Sequence, residues 1–447
     1  MKKIFLFMIM AVLSGAVPVS AATLNVGEDG EYRSLTEAVR AAQDGDEILL
    51  SQGIYDDSLE EFPILIDKSL YIHSAEGERA AISCPSLDVT MKLLKEGIVL
   101  EQLEIDFIRY GLYVLADDAV IRNCCISLSD EKWRETSCGM WAGGAKHMTL
   151  DGCRFTDCGI ALAGPEVIPG KNDVAVLTAL FEVGEDIGFF DSHVIRECQV
   201  NEKPLVYLIG QKDSTFSESC GQLIAVNCSN MTFEDLDVSE TSIGMQIAYS
   251  DNIRVLNSTA DSCGVFGIYV CKSQDCLLGN ITANKGAHGI DIRDADCCIV
   301  TGCRTNECGQ GVFYSWGRNC ITADCEILDN GTGYFSAGGL HNHVMNCEIG
   351  GNELGLYIQH EPFAVTDCTI RENTSCGLRF TDSRAIISGC AFEDNFVGAL
   401  ALAQSSGILY GCSFEGNSEN AVYIKESEEL QLSGNTFAEG DEVFIKE

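Results

Sequence analysis

The chain has 447 residues, with 67 acidic against 29 basic side chains, a formal net charge of −38 and 46% apolar residues. Phosphate binding needs clustered Lys and Arg, so this balance excludes nucleic acid as a partner, and the apolar share excludes a mostly disordered chain. The 23 cysteines are an odd number, which leaves at least one thiol outside any intramolecular disulfide set.

Lys2 and Lys3 precede the apolar run Ile4 to Val12, and Val19-Ser20-Ala21 supplies small residues at a cleavage site. Residues 1–21 therefore read as a secretory signal peptide, which implies a secreted, periplasmic or cell-surface protein. No later apolar run approaches the ~18 residues of a membrane span, so residues 22–447 are expected to form a single exported domain. Ser34-Leu35-Thr36-Glu37 has the spacing of a capping box, and the apolar stripe Leu35, Ala38, Val39 and Ala42 predicts a capping helix over 34–43. Ile48-Leu49-Leu50 opens the first strand. Residues 129–147 lengthen one turn, and residues 164–217 form an excursion that includes Ala175 to Val183 and Pro204 to Leu208.

A period then organises the chain. Gly302-Cys303, Asp324-Cys325, Asn346-Cys347, Asp367-Cys368, Gly389-Cys390 and Gly411-Cys412 recur at intervals of 22, 22, 21, 22 and 22 residues. Asn257 and Asn280 upstream and Asn435 downstream extend the column at intervals of 23. Each unit carries two short apolar–x–apolar strands separated by polar turns, and a unit this short cannot bury its own apolar face unless it stacks on copies of itself. The expected fold is all-β: a right-handed parallel β-helix, about 22 residues per rung, with rungs ~4.8 Å apart and about a dozen of them.

Tyr32 to Val39, Asp44 to Ile48 and Gly53-Ile54-Tyr55, with Asn201 to Tyr207 and Gly221 to Cys228, resemble the secreted right-handed β-helix proteins of the pectin-lyase-like superfamily. Within it the similarity is to the NosD-like, carbohydrate-binding and sugar-hydrolase (CASH) group. The resemblance implies the fold over nearly all of the mature chain, and it brings in copper delivery as one activity to weigh.

Soft metals need thiolate or imidazole groups converging at ~2.0–2.3 Å, whereas ladder cysteines run along one line. They read as small buried hydrophobes alternating with asparagine. A second column, Cys138, Cys158, Cys220, Cys263, Cys308 and Cys376, each followed by glycine, has the same reading. The copper candidates are His341, His343 and His360. Six Asn-x-Ser/Thr sequons stand at Asn227, Asn230, Asn257, Asn280, Asn330 and Asn373, and the two ladder members Asn257 and Asn280 are expected to be buried.

Aligning the second strands gives an outward column: Tyr113, Trp141, Ala161, Gln246, Tyr269, Asp291, Phe313, Phe335, Tyr357, Arg379, Ala401 and Tyr423. Exposed aromatics at rung spacing suit pyranose rings, so Trp141, Tyr269, Phe313, Phe335, Tyr357 and Arg379 are the candidate carbohydrate-binding residues. His288 to Asp294 is the densest chemistry. In a lyase or epimerase acting on uronic-acid polymers, Arg293 or Lys272 takes the proton beside the carboxylate, helped by a cation that lowers its pKa; Asp291 is grouped with them as a catalytic candidate, and Asp291 and Asp294 hold Ca²⁺. The leading expectation is a protein that binds polysaccharide or another cell-surface polymer along the aromatic face. The lyase or epimerase and the NosD-like copper handler are its rivals, and the sequence leaves the oligomeric state open.

Overall fold

The computed structural model describes residues 21–75, 77–165, 186–427 and 429–446. The expected leader, apart from Ala21, and the stretch Ala175 to Val183 lie outside the described residues. The chain is a β-solenoid of about 22 residues per turn and some 18 turns, more than the dozen rungs expected. The capping helix spans Leu35–Ala41, with the Ser34 hydroxyl accepting from Glu37 N at 3.1 Å. Glu60 receives the next two free amides, Leu35 N at 2.6 Å and Thr36 N at 2.8 Å, so the helix N-terminus is satisfied from the adjacent turn. Among the described residues no helix is long and apolar enough to cross a membrane.

The rungs fall into two coils. In the N-terminal coil a seven-stranded sheet runs from Thr23–Val26 to Val194–Arg196, and a five-stranded sheet runs from Ile64–Ile66 to Ile160–Ala163. The third side, from Gly53–Tyr55 to Gln199–Val200, continues into the C-terminal coil through an antiparallel pairing of Gln199–Val200 with Lys203–Ile209. Asn201 and Glu202 make that reversal at φ of 50° and 63°. The excursion expected over 164–217 therefore contains the last rung of one coil and the first strand of the next.

The C-terminal coil has three sides. A broad face of parallel strands runs from Lys203–Ile209 to Val443–Lys446, a second face of eleven from Thr215–Phe216 to Glu429–Ser433, and a third of seven from Arg304–Asn306 to Thr436–Phe437. Inward residues of the broad face stack rung on rung: Leu223, Met245, Ile268, Ile290, Val312, Tyr334, Leu356 and Leu378, none more than 1% exposed. Each such aliphatic side chain contributes roughly 1.5–3 kcal/mol by leaving water.

The cysteine ladder is present. Cys303, Cys325, Cys347, Cys368, Cys390 and Cys412 are at most 2% exposed. Five of the six thiols point at carbonyls of the preceding rung, for example Cys303 to Leu278 O at 3.4 Å and Cys347 to Thr322 O at 3.6 Å. Asn435 joins them, its Oδ1 accepting from Cys412 N at 2.9 Å. Asn257 and Asn280 do not. They sit one residue earlier, at φ of 50° and 54°, in the corner column shared with Gly302, Asp324, Asn346 and Asp367, and both are exposed. That left-handed corner favours Gly, Asp and Asn, the residues that precede each ladder cysteine.

The asparagine ladder lies at a different corner, through Asn330, Asn352, Asn373, Asn395 and Asn417, each Oδ1 accepting from the backbone N–H one rung below. Of the six sequons, Asn330 and Asn373 are therefore the buried ones, at 3% and 0% exposure. The second cysteine column also divides: Cys308 N donates to Asn330 Oδ1, whereas Cys376 pairs in register with Leu354. Burial raises the Cys138 and Cys263 thiols to about 12, which keeps them protonated and inert.

The two coils meet at a right place for both. Ile160–Ala163 is the edge of the five-stranded sheet, and its free groups are met by two side-chain amides of the broad face. Ile160 exchanges hydrogen bonds with Gln222 at 3.0 and 2.6 Å, and Leu162 does so with Gln246 at 3.2 and 2.7 Å. One apolar cluster joins Trp141, Ile160 and Leu162 to Ile224, Ile243, Phe266 and Tyr269. The outward side of the C-terminal coil thus closes the open end of the N-terminal core, which covers an edge that would otherwise invite aggregation. The lengthened turn at 129–147 joins this contact. A β-carbon on Gly264 would fall 2.3 Å from Ser137 O and 2.5 Å from Arg134 O, so only glycine fits.

Candidate functional site

Strand register places Gln246, Tyr269, Asp291, Phe313, Phe335, Tyr357 and Arg379 in one outward column, as alternation requires. The next members are Leu400 and Tyr423. Ala401 pairs with Phe380 and is buried inside, because the rung there is one residue shorter and a one-residue slip exchanges faces. In the N-terminal coil Tyr113, Trp141 and Ala161 continue an equivalent column.

Exposure divides the column into two halves. Tyr113, Trp141, Ala161, Gln246, Tyr269 and Asp291 are at most 1% exposed and Phe313 is 8% exposed. Trp141, Tyr269 and Phe313 are thus not free platforms, for an outward position is exposed only where nothing docks on it. Phe335, Tyr357, Arg379, Leu400 and Tyr423 remain half-buried.

The buried half holds a closed polar cluster. Asp291 accepts from Arg293 Nε at 2.7 Å and Nη2 at 2.8 Å, and its Oδ2 lies 2.6 Å from His288 Nδ1. Phe266 and Phe313 sandwich the group, with the Arg293 guanidinium 5.5 and 4.8 Å from their centroids. Burial would raise the Asp291 carboxyl, but the Arg293 charge and the two hydrogen-bond partners hold it below its ordinary value. Arg293 is likewise held above its ordinary value by Asp291 despite burial, the opposite of the depressed pKa that proton abstraction calls for. Burial keeps the His288 imidazole below its usual range against the pull of Asp291, and its Nε2 has no hydrogen-bond partner among the described residues. His288 is the one member of this cluster to which the sequence assigned no role; its spacing of three from Asp291 was the available signal.

Lys272 lies on the adjacent corner and pairs with Asp294 at 2.6 Å. Asp291 faces Arg293 and Asp294 faces Lys272, so each proposed Ca²⁺ ligand is already matched to a cation. Among the described residues no three of His, Cys, Asp and Glu come together as a metal cage. His343 Nε2 is 2.9 Å from Thr366 Oγ1, and His360 Nδ1 is 3.0 Å from Asp382. His341 and His343 line a groove on the second face, and His360 is absent from its lining.

The exposed half is an aromatic run ending on a cation. The Phe335 ring stacks on Phe313 at 5.0 Å and meets Tyr357 edge-on at 5.5 Å. The Arg379 guanidinium lies 4.7 Å over Tyr357, and Gln359 donates to the Tyr357 hydroxyl. Arg379 Nε has no hydrogen-bond partner among the described residues. Two rungs on, Tyr423 and Phe444 stack at 5.1 Å. Such a strip can offer flat apolar surfaces at rung spacing with a donor beside them.

A sequence profile described as right-handed β-helix region matches residues 95–278, 267–385 and 365–446. No curated protein matches the chain. Among solved structures, the A-module of the Azotobacter vinelandii mannuronan C-5 epimerase AlgE6 aligns at 12% identity over 90% of this chain and 93% of its own, with a TM-score of 0.30. The periplasmic alginate epimerase AlgG aligns at 10% identity over 88% and 77%, TM-score 0.32, and the pectate lyase Pel9A at 12% over 92% and 79%, TM-score 0.27. No chemistry is carried over from likenesses of this size.

Proposed function

The chain belongs to the right-handed β-helix family, and from that premise we propose that it is an exported protein that binds carbohydrate or another cell-surface polymer along the exposed half of its broad face. The observation that carries this reading is the run Phe335, Tyr357 and Arg379, half-exposed and in register, with the Arg379 guanidinium lying over the Tyr357 ring. Ring faces bury apolar C–H surfaces of a sugar, and the guanidinium donates to hydroxyl or carboxylate oxygens.

The test is affinity electrophoresis through gels containing neutral and acidic polysaccharides. Retardation by at least one of them is expected, and Tyr357→Ala is expected to weaken it roughly 3–10-fold, the scale of one aromatic contact. Retardation that is unchanged in Tyr357→Ala and in Arg379→Gln would remove this face as the binding site.

A further inference from the structure

The second face of the C-terminal coil carries a groove of about 760 Å³, within the ~300–1,000 Å³ typical of ligand sites. We infer that this groove binds an aliphatic carboxylate, a fatty-acid-like anion with its head at Arg384 and its chain along Ala364, Ile386 and Ile408. The inference is independent of the polymer-binding face.

Charge is the first argument. The chain carries 67 acidic side chains, yet none of those among the described residues lines this groove. Arg384 is exposed and makes no ion pair among the described residues. Other arginines of this coil are neutralised: Arg304 by Glu326 at 2.7 Å, Arg318 by Asp296 at 2.7 Å and Arg371 by Glu348 at 2.5 Å. A guanidinium without an ion-pair partner among the described residues, in a groove whose lining carries no acid, favours an anion there.

The floor supplies the second argument. Register runs His343, Ala364, Ile386, Ile408 and Gln431 down the groove, one per rung. The small Ala364 leaves a depression between His343 and Ile386, and Ile386 is 55% exposed. Phe363 is the groove's one aromatic residue and is turned into the core at 5% exposure. Sugar rings call for aromatic platforms, which this molecule carries on its other face. An aliphatic trough with polar ends instead matches a methylene chain.

Calorimetric titration of the full chain with decanoate, 1-decanol and galacturonate tests the assignment. One decanoate per chain is expected, with Arg384→Gln weakening it roughly tenfold or more, as loss of a charged hydrogen bond implies. Ile386→Ser is expected to weaken it as well, whereas Tyr357→Ala is expected to leave it unchanged. Both groove side chains are exposed, and an unaltered unfolding midpoint establishes that each variant is folded. The assignment is overturned if decanoate gives no saturable heat, if Arg384→Gln binds it as wild type does, if 1-decanol binds as tightly, or if galacturonate displaces it.

Discussion

At Asp291 a single carboxylate satisfies two hydrogens of Arg293 and faces His288, all within a site that water does not reach. Removing one partner of a buried ion pair strands the other, at a cost of about 3–5 kcal/mol. Asp291→Ala is therefore expected to lower unfolding stability by that amount in denaturant titration, and a change near zero would show that Arg293 finds solvent on its own. His288 sets a pH dependence of definite sign. Its folded pKa is depressed by burial, whereas an unfolded histidine titrates near ~6.5. Below that pH the unfolded chain binds the proton that the folded chain refuses, so the contribution is present above ~6.5 and is lost as pH falls. The denaturation midpoint should fall between about pH 7 and 5. His288→Gln, which still carries the buried His193, should show a shallower fall; identical slopes would refute the assignment.

Elements of this chain are specified by columns, and one column is easily mistaken for its neighbour. Asn257 and Asn280 fit the cysteine spacing, yet they occupy the left-handed corner one residue earlier. A sequence interval of 22 or 23 fixes the period but leaves the phase open by one. The outward column was legible for the same reason that it failed at Ala401: alternation predicts faces only while rung length holds. The amide clasp between the coils was not legible, because Gln222 and Gln246 read locally as ordinary strand residues. Gln246→Leu leaves both Leu162 N–H and C=O without partners, so a loss of roughly 2–4 kcal/mol is expected. Thermal unfolding checks it, and an unchanged midpoint would mean that the strand edge is satisfied by water.

On the scale of the whole molecule, the 23 cysteines form neither a metal cage nor a disulfide frame; all are free, with Cys297 exposed and Cys125 half-exposed. Titration with an aromatic disulfide reagent should modify those two in the native protein and release the other 21 (23 − 2) on unfolding. Rapid native reaction of many more thiols would contradict the packed ladders.

The period, the capping helix, the all-β class and the register of the outward aromatic column were determined by the sequence, because stacking of near-identical rungs is a local rule repeated. Tertiary structure alone decided which part of the outward face meets solvent. The docking of one coil's end on the other's flank turns Trp141 and Tyr269 into core, and no rung's sequence records where a distant rung will press against it.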